Sequence, residues 1–187
     1  AHWVNHRREP PFPMAVHSFR KGLDLPLAGP PAQRVESSVA VRRVALLGAD
    51  DPGLRPALAV QPGDRVRRGQ LLYSDRKHPG VRYTAPAAGT VQAVHRGAQR
   101  AFVSVVIEVA DDDGPQAQVA FDSLPRPGQP PADGAGVRAL LLESGLWTTL
   151  RTRPYSRVPA ADAEPQAIFV TAIDTHPHAP DPQVVLA

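Results

Sequence analysis

The chain has 187 residues, 42% of them hydrophobic, with a formal net charge of +3 and a pI near 9.8. It contains no cysteine, which excludes disulfides, thiolate metal sites and iron–sulfur ligation by these residues. No apolar run approaches the roughly 18 residues that a membrane-spanning helix needs, and the N-terminus lacks a signal-peptide pattern, so a soluble, cytoplasmic chain is expected.

The basic residues are 19 Arg and 2 Lys, scattered in pairs such as Arg42-Arg43 and Arg67-Arg68. No basic stripe interleaved with aromatics is present to stack single strands, so nucleic acid is not an expected partner. An anionic membrane surface or an acidic partner protein fits this charge better. The 22 prolines are clustered, and they mark turns and linkers.

Residues 1–17 are polar, proline-rich and without periodicity, and read as a disordered extension in which Met14 is the candidate start. His2, His6 and His17 have no metal-ligand spacing. From Ser18 the chain reads as a strand and loop. A run expected to be buried follows, Val39-Ala40-Val41-Arg42-Arg43-Val44-Ala45-Leu46-Leu47, ending at Gly48.

Residues 58–109 alternate short apolar runs with turn signals, the pattern of a small all-β unit. Pro62-Gly63-Asp64 sets a tight turn and Gly69 bends the chain again before Leu71-Leu72-Tyr73. His78-Pro79-Gly80 reverses it, residues 81–84 return, and Ala85-Pro86-Ala87-Ala88-Gly89 makes a corner. Residues 90–94 then run out and Arg96-Gly97 turns back. The last run places Val103, Val105, Ile107 and Val109 on one face, with Ser104 and Glu108 on the other beside Val106. Asp111-Asp112-Asp113-Gly114-Pro115 is an acidic turn, too short and irregular for a calcium loop. Residues 117–121 are expected to form a final strand that closes a barrel.

Residues 123–132 read as a Pro-rich linker and domain boundary, and there the period changes. Asp133 is placed to N-cap a helix with Val137, Leu140, Leu141, Leu146, Trp147 and Leu150 at a 3–4 spacing, ended by Pro154. Residues 167–172 (AIFVTA) are apolar on both faces, as in a buried parallel strand. Pro182 suits the first turn of a further helix. The intervening loop carries His176 and His178, but no third ligand accompanies them, and zinc needs three or four.

Two segments carry a fold resemblance. Gly63-Asp64-Arg65-Val66-Arg67-Arg68-Gly69-Gln70-Leu71 and Ala85-Pro86-Ala87-Ala88-Gly89-Thr90-Val91 resemble the two related halves of a biotinyl/lipoyl-type barrel. In carrier domains of that fold a hairpin lysine bears the prosthetic group, and Lys77 sits on the matching hairpin. Its context, Arg76-Lys77-His78-Pro79-Gly80, departs from Met-Lys-Met or Asp-Lys-Ala, so a lipoyl or biotin carrier modified on Lys77 is the alternative reading and not the main one.

A second resemblance runs along nearly the whole chain after residue 18. Lys21-Gly22-Leu23-Asp24-Leu25-Pro26-Leu27-Ala28-Gly29 and Val44-Ala45-Leu46-Leu47-Gly48 resemble characteristic segments of the A subunit of the sodium-translocating NADH:quinone reductase (Na+-NQR). The likeness continues in collinear order through residues 61–70, His78-Pro79-Gly80, residues 104–109, 144–154 and 167–182. It implies a mainly β fold: a barrel-sandwich hybrid over residues 18–122, then the start of a Rossmann-like α/β domain over residues 133–187. It also implies a peripheral subunit on the cytoplasmic side of the bacterial inner membrane, in a complex that oxidises NADH, reduces ubiquinone and pumps sodium. Flavins and an iron–sulfur centre are expected in partner subunits, and no cofactor or catalytic residue is expected in this chain.

One stretch bears on ligands, Ser144-Gly145-Leu146-Trp147-Thr148-Thr149-Leu150-Arg151-Thr152-Arg153-Pro154-Tyr155. It resembles the region where the NADH-binding subunit of respiratory complex I and the C subunit of the Rnf complex carry a glycine-rich flavin-phosphate loop. Here Trp147, Thr148 and Thr149 replace the glycines. Trp147, Arg151, Arg153 and Tyr155 are the candidate quinone- or ligand-binding residues, with Trp147 also readable as a core residue and the arginines as solvated.

Overall fold

The computed structural model describes residues 27–29, 31–36, 40–111, 114–127, 133–171, 173–174 and 176–186. The expectations for residues 1–17, for the segment up to Pro26, for Val39, for Asp112-Asp113, for residues 128–132 of the linker and for Ala172 lie outside them. The chain divides into two compact units, Ser38–Ile168, and Ala1–Ser37 together with Phe169–Ala187.

Among its described residues the first unit holds seven strands: β1 (Arg43–Leu47), β2 (Pro56–Leu58), β3 (Arg65–Val66), β4 (Leu71–Asp75), β5 (Arg82–Thr84), β6 (Gly89–Arg96) and β7 (Phe102–Val109). They form two antiparallel sheets, ordered β1-β7-β6-β3 and β2-β4-β5. The two motif segments pair with each other. Arg65 and Val66 face Thr90 and Gly89, and Gly63 N–H donates to Val91 O while Val91 N–H donates to Asp64 O, both at 2.8 Å. Gly69 N–H donates to Ala85 O and Ala85 N–H to Gln70 O, again at 2.8 Å.

The motif residues explain this closure. Gly63 and Gly69 have φ of 95° and 83°, a region that L side chains rarely enter. The Asp64 carboxylate accepts from Gln61 N–H at 2.9 Å and the Gln70 amide oxygen from Arg67 N–H at 3.1 Å, so each polar motif residue closes the turn beside it. Gly89 lies so close to β7 that a Cβ there would meet Glu108 O at 2.0 Å.

The core is formed by Leu72, Tyr73, Val81, Val91, Val105 and Ile107, all essentially inaccessible, with Val66, Tyr83, Trp147 and Val158 around them. On β7 the alternation holds at Val105 and Ile107, whereas Val103 is 46% exposed. The run ending at Gly48 is not a buried strand. β1 alternates, with Val44 and Leu46 against the core and Leu47 exposed, because its neighbours cover only one face.

Three further expectations are corrected. No closing strand forms at residues 117–121; only a parallel bridge between Arg68 and Gln118 remains, with Arg68 N–H to Ala117 O and Val119 N–H to Arg68 O. Gly69 turns away immediately after Arg68, which leaves nothing to extend the ladder. The helix α1 (Gly134–Ser144) starts as expected, with the Asp133 carboxylate accepting from Gly136 N–H at 2.7 Å, but stops before Leu146. Gly145 at φ 82° caps its C-terminus, and Leu146–Thr149 form a separate 3₁₀ turn. Leu146 is therefore 55% exposed, while Leu141, Leu142 and Leu150 pack on the core. Lastly, residues 167–171 form no strand, and Ile168, Phe169 and Val170 are exposed. Among the described residues no strand lies beside them, and a parallel strand is stable only when neighbours satisfy its backbone groups.

In the second unit the helix α2 (Pro182–Leu186) begins at proline as expected. The Asp181 carboxylate accepts from Gln183 N–H at 2.9 Å, and Asp181 N–H donates to Gln33 Oε1 at 2.8 Å.

Candidate functional site

The segment that follows α1 contains all four candidate ligand residues, and it divides them. Trp147 is 6% exposed and belongs to the core. Its indole N–H donates to Pro159 O at 2.9 Å, and the Arg138 guanidinium lies 5.2 Å from the ring centre. Arg138 in turn donates to Ala161 O and Ala163 O, so one arginine ties α1, the tryptophan and the following loop together. Packed in this way, the ring has no face open to a flat ligand.

Arg151, Arg153 and Tyr155 lie on an exposed loop instead. Every residue from 151 to 157 is exposed, Tyr155 at 77%, and Val158 returns to the core. Thr152 N–H and Oγ1 both donate to Arg157 O, at 2.8 and 3.1 Å, and Ser156 N–H donates to Thr152 O at 2.8 Å. The Arg151 guanidinium donates to Thr148 O and Leu150 O.

A flavin phosphate does not fit the turn before this loop. A phosphate cradle needs several converging N–H groups left free where no Cβ intrudes. Here Thr148 N–H donates to Gly145 O, Leu150 N–H to Trp147 O and Leu146 N–H to Ser144 Oγ, and Gly145 itself is buried against Thr84.

Lys77 occupies the β4–β5 hairpin, exposed, with its N–H donating to Asp75 Oδ1 at 3.0 Å. Its Nζ lies 3.2 Å from where a Cβ on Gly53 would stand, a lysine folded back toward a neighbouring turn. The two loop histidines have separate partners. His176 bonds Asp174, and the resulting N–H bonds hold the Asp174 carboxyl below its usual range, while His178 Nε2 lies 3.3 Å from Leu27 O. Among the described residues no group of three His, Asp or Glu is placed to hold a metal.

A polar cluster that sequence reasoning missed lies at the core's edge. Tyr83 stacks on Tyr73 with centroids 4.6 Å apart, Phe102 meets Tyr73 edge-on, and the Tyr83 hydroxyl donates to the buried carboxylate of Asp51. Burial, then the Asp51 bond and charge, push the Tyr83 phenol far above its ordinary range; burial and the nearby Asp51 and Asp50 do the same to Tyr73. Both phenols therefore stay protonated, and the Tyr83 hydroxyl acts as a donor to Asp51, fixing the turn at residues 50–53 to the second sheet. Asp75 is buried too, and accepts from Arg55 and Lys77 N–H groups. The spacing Asp75 to Lys77 is an Asx-turn signature that sequence could have revealed. The Asp51–Tyr83 pairing spans 32 positions and left no local signal.

Glu143 on α1 accepts from Asp122 and Ser123 N–H groups at 3.0 and 2.9 Å, and the Thr84 hydroxyl donates to Ser144 O at 2.8 Å. These bonds fasten α1 to the barrel. The Ser123 bonds, with smaller contributions from Asp122 and Arg82, lower the Glu143 carboxyl below its usual range.

Two family models match the chain: the NqrA N-terminal barrel-sandwich hybrid domain over residues 18–110, and the NqrA second alpha/beta domain over residues 132–187. Among curated relatives, the A subunit of the Na(+)-translocating NADH-quinone reductase of Pseudomonas aeruginosa strain PAO1 is 52% identical over 169 residues, 90% of this chain. Proteins of the same name from Shewanella amazonensis and Neisseria meningitidis FAM18 are each 49% identical, over 91% and 90% of this chain. The chain spans 37% of the length of each of these relatives. Relatives of this kind do not favour the carrier reading of Lys77. With matching models over both parts and collinear identity near one half, the chain belongs to the NqrA family, the A subunits of the Na(+)-translocating NADH-quinone reductase.

Proposed function

We propose that this chain serves as a peripheral subunit of a membrane complex that oxidises NADH, reduces ubiquinone and pumps sodium ions, and that it brings no redox centre of its own. The observation that carries this is the name shared by relatives about half identical to it. Among the described residues no helix is long and apolar enough to cross a membrane, in keeping with a chain that docks on membrane subunits at the cytoplasmic face of the inner membrane. The absence of cysteine from the sequence supports placing the iron–sulfur centre on a partner, and the bonded N–H groups of residues 146, 148 and 150 support placing the flavins there as well.

The chain's contribution to a quinone site, in this reading, comes from the loop bearing Arg151, Arg153 and Tyr155. A quinone carries no phosphate and asks for an apolar slot with one or two donors. The exposed loop offers the donors, and Trp147 serves beneath it as a rigid support. Co-purification of tagged full-length protein from its own membranes tests the assignment. Membrane subunits and NADH:quinone activity in the eluate are expected, and a tagged protein recovered alone from an intact, active membrane would overturn it.

A further inference from the structure

We propose that the loop of residues 151–157 is a docking surface for an acidic protein segment. The proposal rests on the reading of this chain as one member of a complex, and it assigns the loop's arginines and Tyr155 to a protein contact in place of the quinone contact described above. Residues 144–161 contain Arg151, Arg153 and Arg157 and no Asp or Glu. The whole chain has 21 Lys and Arg against 18 Asp and Glu, so these three arginines equal its entire excess and the remaining 18 and 18 cancel. Among the described residues no carboxylate forms an ion pair with any of the three.

Charge alone would make a solvated face. What sets this loop apart is that its shape is fixed before a partner arrives. Its two ends are joined by the Thr152–Arg157 bonds, its base is seated by Val158 and by the Trp147 bond to Pro159, and Arg151 is oriented by two carbonyls. Fixing side chains in advance removes part of the ordering cost of association. Guanidinium forks match carboxylates bidentately, and Arg and Tyr are both residue types enriched at interfaces. Tyr155, 77% exposed among these arginines, supplies the apolar area. A lipid surface is the weaker match: lasting membrane attachment needs an apolar anchor besides charge, and the loop has no aliphatic side chain to insert.

The test uses the whole chain and a short dye-labelled peptide of alternating Glu and Gly, followed by fluorescence anisotropy at low salt. Saturable binding is expected, weakened about tenfold by Arg151→Gln/Arg153→Gln/Arg157→Gln. The variant Arg42→Gln/Arg43→Gln/Arg67→Gln removes the same charge from exposed positions elsewhere, and its affinity should stay within about twofold of the wild type. Equal weakening by both variants, or no binding by the wild type, overturns the proposal. So does binding to phosphatidylcholine vesicles containing phosphatidylserine that the loop variant abolishes while the peptide fails to bind. Because the assay needs no partner protein, its failure beside successful co-purification removes the docking surface and leaves the place of the chain in the complex standing.

Discussion

Residues 61–91 and residues 145–158 are both dense in turns, but they hold their shapes by different means. In the first, the turns are closed by main-chain bonds at Gly63 and Gly69 and by the polar side chains of Asp64 and Gln70, each reaching three positions back. In the second, the shape depends on side chains: Arg138 over Trp147, the Thr84 hydroxyl on Ser144 O, and the Trp147 indole N–H on Pro159 O. A segment of the first kind keeps its backbone when a side chain is truncated, whereas one of the second kind is only as stable as the packing beneath it. The exposed loop of residues 151–157 inherits its order from that packing.

Trp147→Ala should break the second region most severely. Emptying a buried indole site costs about 3–5 kcal/mol, and urea unfolding should show it together with faster proteolysis at residues 151–157. A cost below about 1 kcal/mol would mean that the loop is not seated on Trp147. Gly89→Ala strikes the first region at a point of tight long-range contact, where the new Cβ would meet the Glu108 carbonyl. A backbone shift there should cost about 3 kcal/mol, readable as a lower urea midpoint.

Glu143→Gln sharpens the comparison through pH. The folded carboxyl titrates below its unfolded value, so its stabilisation is present above the ordinary Glu range and is lost as pH falls through the folded pKa. The variant should melt below the wild type at neutral pH and converge with it in acid. Because the carboxylate is near the surface, the gap at neutral pH should be about 1 kcal/mol or less. Arg153→Gln should be the mildest change, within about 0.5 kcal/mol of wild-type stability; thermal melts that fell further would give that side chain a structural role.

The barrel was legible because its instructions are local. Turn glycines at Gly63 and Gly69, proline before the first, and Asp64 and Gln70 closing the turns are read directly from residues 62–70, and the period-two run of β7 follows. Pairing partners were not legible. Neither the Asp51–Tyr83 bond nor the attachment of α1 by Glu143 has any local spacing, and both span 20 residues or more. Residues 167–171 show the same limit from the other side: strand-like composition does not make a strand without neighbours to pair with. In the candidate site, the replacement of glycines by Trp147, Thr148 and Thr149 was readable, as was the exposed chemistry of Arg151 and Arg153. That Gly145 would end the helix and drive Trp147 into the core depended on contacts with Thr84 and Arg138 that only the fold brings together.

The central claim is that this chain is a subunit without a flavin or nucleotide cradle of its own, and calorimetric titration of the isolated chain with FMN and with NADH at physiological salt tests it most directly. No saturable heat is predicted for either ligand, since the N–H groups at residues 146, 148 and 150 are already bonded. Saturable micromolar binding of FMN or NADH, retained as salt is raised, would contradict the account.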